Sequence, residues 1–150
     1  MTKTLVCLAA AGLAAASFSA QAQFAKPEDA VKYRQSAFAL MGAHMTRINN
    51  QLKSGNPDMA AIQSSAALVE TLSRLPFEAF VPGSDMVANT KAKPEIWKDT
   101  ARVKELSDKM VAEVAKLNAT ARGGDAKAIQ AQVGAVGQSC KACHDDYRAK

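Results

Sequence analysis

The sequence predicts an all-α fold, an antiparallel up-down-up-down four-helix bundle. Three observations carry that expectation. Four stretches repeat apolar residues at steps of three and four, the spacing of one helix face. Proline marks the opening of the first three, at Pro27, Pro57 and Pro94, and Gly123-Gly124 divides the third from the fourth. Nothing reads as a strand. With two short links and one long one, successive helices run antiparallel around a shared core.

The first helix begins at Pro27, with Glu28 and Asp29 in the opening turn, where proline and acids suit a helix start. Its stripe runs Val31, Phe38, Met41, Met45, Ile48 and Leu52, and Ser54-Gly55 ends it. The second opens with Asn56 as its cap, Pro57 in the first turn and Asp58 as an acid, and carries Met59, Ile62, Ala66, Val69 and Leu72 before Pro76. Leu75 to Lys93 is a long connection holding Pro76, Pro82 and Gly83. Connections of that length are usually functional or disordered, and Phe77 and Phe80 argue that this one packs down on apolar surface. The third helix starts near Pro94-Glu95, buries Ile96, Val103, Leu106, Met110, Val114 and Leu117, and stops at Gly123-Gly124. Asp125 caps the fourth, whose stripe is Ile129, Val133, Val136, Cys140, Cys143 and Tyr147. The two cysteines therefore point towards the core.

Ahead of these helices stands a segment of different character. Lys3 gives a positive start, Leu5 to Ala16 an uncharged apolar run, and Ala20-Gln21-Ala22 an A-x-A cleavage signal. The run falls short of the roughly 20 residues a membrane span requires. Residues 1–22 are thus expected to be a cleaved signal peptide. Residues 23–150 would then be one four-helix domain in the periplasm, with no membrane insertion of the mature chain. Cleavage removes Lys3 and Cys7, taking the formal charge from +5 to +4 and leaving two cysteines of three. A disulfide scaffold would keep more. Charges of both signs are mixed along every helix, and with 5% aromatic residues no basic block is interleaved with rings. Nucleic-acid binding has no support.

The chemistry lies in the last helix. Cys140-Lys141-Ala142-Cys143-His144 is a Cys-x-x-Cys-His run. Thiols one helical turn apart can add to the two vinyl groups of a haem, and the adjacent histidine falls under the iron. Cys140, Cys143 and His144 are the expected covalent and axial attachments of one haem c. A redox dithiol would sit near a βαβ pattern, and a structural zinc site would need more ligands than His44 adds. Asp145 to Lys150 follow the run without a methionine or histidine. Whatever covers the far face of the iron is expected from upstream. This order excludes the commonest small cytochromes, which carry the motif first and a ligand methionine later.

The segment Cys140-Lys141-Ala142-Cys143-His144-Asp145-Asp146-Tyr147-Arg148 resembles the haem site of the class II cytochromes c, most of all cytochrome c′. Ala25-Lys26-Pro27-Glu28-Asp29-Ala30-Val31-Lys32-Tyr33-Arg34-Gln35-Ser36-Ala37 resembles that family's first helix, and Lys93-Pro94-Glu95-Ile96-Trp97 the start of its third. The family is itself a standard example of the up-down-up-down bundle. The resemblance covers the whole mature chain. It implies that Arg34 and Gln35 contact the haem propionates and that Phe38 covers the vacant distal face. Many relatives carry leucine there, so an aromatic lid is a departure that reduces access. Arg148 matches a basic residue beside the proximal face. Phe77, Ile96, Val103, Leu106 and Met110 are implied pocket walls, and Thr90 and Lys91 are implied neighbours of the haem edge.

Periodicity alone leaves rivals standing. Phe38 would be buried in any bundle, and Arg34 could equally be an ordinary surface arginine. Met41 shares the face of Phe38 one turn on, and its thioether could ligate the iron and raise its potential, as in the family's low-spin branch. It could equally fill core space, as methionines often do. If no side chain reaches the distal iron, the ferrous site is open to small gases. Bound dioxygen usually needs a hydrogen-bond donor, which Phe38 does not offer, so nitric oxide and carbon monoxide are favoured. In related proteins nitric oxide can displace the proximal histidine, where Arg148 would steer it. Peroxidase-like catalysis needs a distal acid–base pair that an apolar helix face lacks. A gas-binding protein and an electron carrier ligated by Met41 therefore both stay open. The resemblance also implies a homodimer through the first two helices, with His44 or Met59 on the interface. Lys141, Arg148 and Lys150 would favour an acidic redox partner.

Overall fold

The chain reverses direction at each break marked by glycine or proline. The computed structural model describes residues 23–150, and the expected signal peptide lies outside the described residues. Its helices are α1 (Pro27–Lys53), α2 (Met59–Leu72), a short α3 (Leu75–Glu78), α4 (Thr100–Gly123) and α5 (Ala126–Tyr147). The four long ones form the bundle. α1 packs on α2, α2 on α4, α4 on α5, and α5 closes the ring against α1. Among the described residues the only β-type pairing is one antiparallel bridge between Ala92 and Arg148.

The helix ends follow from local chemistry. Pro27 opens α1 without a side-chain cap, and Glu28 and Asp29 offset the positive end of its dipole. The expected cap at Asn56 is displaced: α2 starts two residues after Pro57, because the Asp58 carboxylate accepts from the Ala61 amide at 3.0 Å and is itself the cap. α4 ends on Gly124 at φ 73°, a left-handed position that glycine adopts without steric cost. The Asp125 carboxylate then accepts from the amides of Lys127 at 2.9 Å and Ala128 at 3.2 Å, opening α5. Asp125→Ala is expected to cost about 1 kcal/mol in urea unfolding and to leave the C-terminal end of α5 untouched.

Two expectations are refined. The long connection contains α3, built on Pro76 at its first turn. The third helix does not run on from Pro94: Pro94–Trp97 is a separate 3₁₀ turn, and α4 starts at Thr100. Tertiary contacts set that break. The Trp97 indole N–H donates to the Val81 carbonyl at 3.3 Å, and the Tyr147 hydroxyl donates to the Asp99 carboxylate at 3.4 Å. Both hold the turn off the α4 axis.

The core divides in two. The main cluster joins all four long helices through Met41, Ile48, Ile62, Val69, Val114, Leu117, Ile129 and Val136. A smaller cluster of Ile96, Leu106 and Tyr147 draws in Phe80, Trp97 and Val103 at the other end. Each fully buried Leu, Ile or Val stabilises by about 1.5–3 kcal/mol, so the main cluster carries the fold.

Candidate functional site

α5 places Cys140 and Cys143 one turn apart, and each faces a different part of the core. Cys140 packs on the main cluster and Cys143 on the smaller one. Both are free, half-buried thiols. Burial raises both pKa values; Asp146 adds to the rise at Cys143, and a hydrogen bond with Ser139 opposes it at Cys140. The thiols stay protonated near neutral pH.

His144 follows on the more exposed side of α5. Partial desolvation lowers its pKa below 6.5, the nearby Arg148 charge adds to the lowering, and Asp145 opposes it. Neutral imidazole is the form that ligates metal, so these neighbours keep its lone pair available. In protein lacking haem, NMR titration of the His144 ring is expected to give a midpoint below 6.5. Between that midpoint and 6.5 the unfolded chain holds more protons. The stabilising contribution of neutral His144 is therefore complete above the unfolded value and lost as pH falls through the folded one.

Phe38 stands across from His144. The two rings are 6.3 Å apart between centroids and 78° from parallel, and Phe77 meets Phe38 edge-on at 6.0 Å. Met41 is 5% exposed and packs within the main cluster. His44 is turned to α2, its Nδ1 3.3 Å from the Ser65 hydroxyl. The implied walls divide as the core does: Phe77 and Met110 lie with Cys140, while Ile96, Val103 and Leu106 lie with Cys143.

Arg34 is not a surface residue. It is 3% exposed, and its guanidinium donates to the Ala79 carbonyl at 2.8 Å and the Ser84 hydroxyl at 2.7 Å. It also donates to the Ser84 carbonyl at 3.0 Å and the Thr90 hydroxyl at 2.8 Å. Its carbon sits 4.7 Å from the Phe80 ring centroid. Gln35 donates to the Asn89 carbonyl at 2.9 Å, so both residues grip the long loop. Lys91 reaches the Lys150 carbonyl at 3.2 Å, and the Arg148 backbone sits in the bridge with Ala92. The part played by Ser84 was not foreseen. Its only sequence signal is the preceding Gly83, at φ 81°, which marks a turn but names no partner.

These residues fit a haem c. The paired thiols, the neutral imidazole and the division of the core at the two cysteines supply attachment chemistry and apolar walls together.

Known proteins agree with that fit. A family model described as Cytochrome C′ matches residues 29–148. The cytochrome c′ of Alcaligenes xylosoxydans xylosoxydans is 47% identical over 129 residues, 85% of this chain and 99% of that protein. The crystal structure of cytochrome c′ from Rubrivivax gelatinosus has a TM-score of 0.79 at 45% identity, covering 84% of this chain and 99% of that one. A ferrous variant from Alcaligenes xylosoxidans with bound NO has a TM-score of 0.78 at 46% identity, covering 85% and 99%. A carbon monoxide-bound variant from the same organism also scores 0.78 at 46% identity, covering 85% and 100%. With the match spanning nearly every described residue and the attachment residues in place at its end, the chain belongs to the cytochrome c′ family, whose members carry covalently bound haem c.

Proposed function

We propose that this protein is a periplasmic monohaem c-type cytochrome that binds nitric oxide and carbon monoxide at an apolar distal face and can pass single electrons. Residues 1–22 act as a signal peptide cleaved after Ala22, and residues 23–150 are the haem domain. No helix among the described residues is long and apolar enough to cross a membrane. When bound, the haem supplies an iron that takes one small ligand or one electron. Cys140 and Cys143 would hold it through thioethers, and His144 would supply a ligand to its iron.

The observation that carries the open-site reading is the Phe38 ring set against His144 at 6.3 Å. A phenyl ring cannot ligate iron and offers bound dioxygen no hydrogen bond. The edge contact with Phe77 holds that ring in place and narrows access. The Arg148 charge helps to lower the His144 pKa, which supports a role for Arg148 beside that ligand. The reading is non-enzymatic, because Phe38, Phe77 and Met41 offer no acid–base pair.

The second reading is a low-spin electron carrier ligated by Met41, favoured by that residue's place one turn after Phe38. Optical spectra of the reduced protein before and after carbon monoxide separate the two. A high-spin spectrum that shifts with the gas is expected. A low-spin spectrum that ignores it, and opens only in Met41→Leu, would establish methionine ligation instead.

A homodimer through α1 and α2 is supported by their outer face, where Leu40 is 50% and Leu68 38% exposed beside a groove lined by Phe24, Tyr33, Leu72 and Leu75. Leu40→Glu is expected to convert a dimer to a monomer in sedimentation. The redox partner is the less constrained element. Lys141 pairs with Asp145, which leaves less positive charge near the haem edge for an acidic partner.

A further inference from the structure

Arg34 is a buried cation, and among the described residues no carboxylate forms a direct ion pair with it, although the Asp85 charge acts on it from the loop. Burying a guanidinium is costly unless its donors are satisfied. Four of its hydrogen bonds go to one loop, at Ala79, Ser84 and Thr90. The Thr90 hydroxyl also accepts from the Ala92 amide at 3.2 Å. From there the loop is zipped to the end of α5. The Lys93 amide donates to the Tyr147 carbonyl at 2.9 Å, and the Ala149 amide donates to the Lys91 carbonyl at 2.8 Å. The Arg148 amide in turn donates to the His144 carbonyl at 3.1 Å. Arg34 thus stands on the helix that carries Phe38 and is linked, through Thr90, to the segment directly after His144.

We propose that Arg34 is a positioning residue for the axial-ligand segment, with Thr90 as the joint that transmits its hold to Tyr147, Arg148 and Ala149. The relay ties the distal helix to the proximal side of the site, so the relation between Phe38 and His144 is set partly from the loop. It rests on the reading of His144 as axial ligand under Proposed function.

Thr90→Val tests the joint without disturbing the buried guanidinium's contacts to Ala79 and Ser84, and Arg34→Lys tests the source. In haem-loaded protein, hydrogen exchange at the Lys93 and Ala149 amides is expected to accelerate by about tenfold in Thr90→Val, the effect of losing roughly one hydrogen bond. Exchange at the Ile129 amide, at the other end of α5, should stay unchanged. The reduced protein with nitric oxide should also show a larger five-coordinate fraction in its optical spectrum, because a looser segment yields the His144 bond more readily. Unchanged exchange at Lys93 and Ala149 in both variants overturns the relay. So does acceleration that extends equally to Ile129, since that reports general loosening. Exchange reads the hydrogen bonds alone, so failure of the axial-ligand reading would leave the spectrum of the haem-loaded protein unchanged in His144→Gly while exchange at Lys93 and Ala149 still decides the relay.

Discussion

Replacing Cys140 and Cys143 together with serine is expected to abolish covalent haem attachment. Haem should then extract completely into acidified organic solvent, whereas none should leave the unsubstituted protein. The effect is all-or-none because a serine hydroxyl does not form the thioether, and each thiol holds its own vinyl group. Either single substitution should retain one bond and shift the optical spectrum of the reduced haem. The double variant also tests the divided core. Cys143 and Trp97 both pack against the cluster of Ile96, Leu106 and Tyr147, so a side of that cluster leans on the haem site. Trp97 is the only tryptophan, which makes its fluorescence a clean reporter. Emission should rise sharply when the haem is lost. The main cluster should keep most of the helical signal, because Ile48, Ile62, Leu117 and Ile129 are fully buried and Cys140 is only a half-buried neighbour of that cluster. Retained covalent haem in the double variant would remove both thiols from their assigned role.

Leu117→Ala is expected to give the other large effect, on stability alone. Leu117 is 0% exposed in the main cluster on α4. Truncation removes its buried methyl groups and leaves a cavity that a bundle closed on all sides cannot fully collapse. The cost is about 2–5 kcal/mol, read as a lower urea midpoint at unchanged m-value. The optical and gas-binding spectra should not move, because Leu117 sits near the α4–α5 turn and the haem motif at the far end of α5. A spectral change would mean that the two ends of the core are coupled more tightly than their separate clusters suggest.

Much of this was legible in the sequence. The four stripes name the main cluster almost residue for residue, since one face of a helix must be apolar when only one face meets the core. Gly124 and Asp125 could be read as ends because capping is decided by neighbours along the chain. The haem motif was legible for the same reason: its thiols and imidazole act at spacings set by a single helical turn. Trp97 and Asp99 were not, since they break the third helix through partners at Val81 and Tyr147, distant in sequence.

Arg34 marks the boundary most clearly. Its place on α1 reads equally as surface or site, and resemblance to a family attaches it to haem propionates. Its burial and its hold on Ala79, Ser84 and Thr90 depend on how a loop some fifty residues away folds back over α1. By itself the sequence determined the helical class, the helix ends set by local capping, and the covalent haem motif. Tertiary structure decided that the Phe38 ring lies against His144 while Met41 packs in the main cluster, that the core divides at the two cysteines, and that a buried arginine fastens the loop. The physical reason is range. Periodicity, capping and motif spacing act within a turn or two of backbone, whereas ring contacts and buried hydrogen bonds exist only once distant segments have packed.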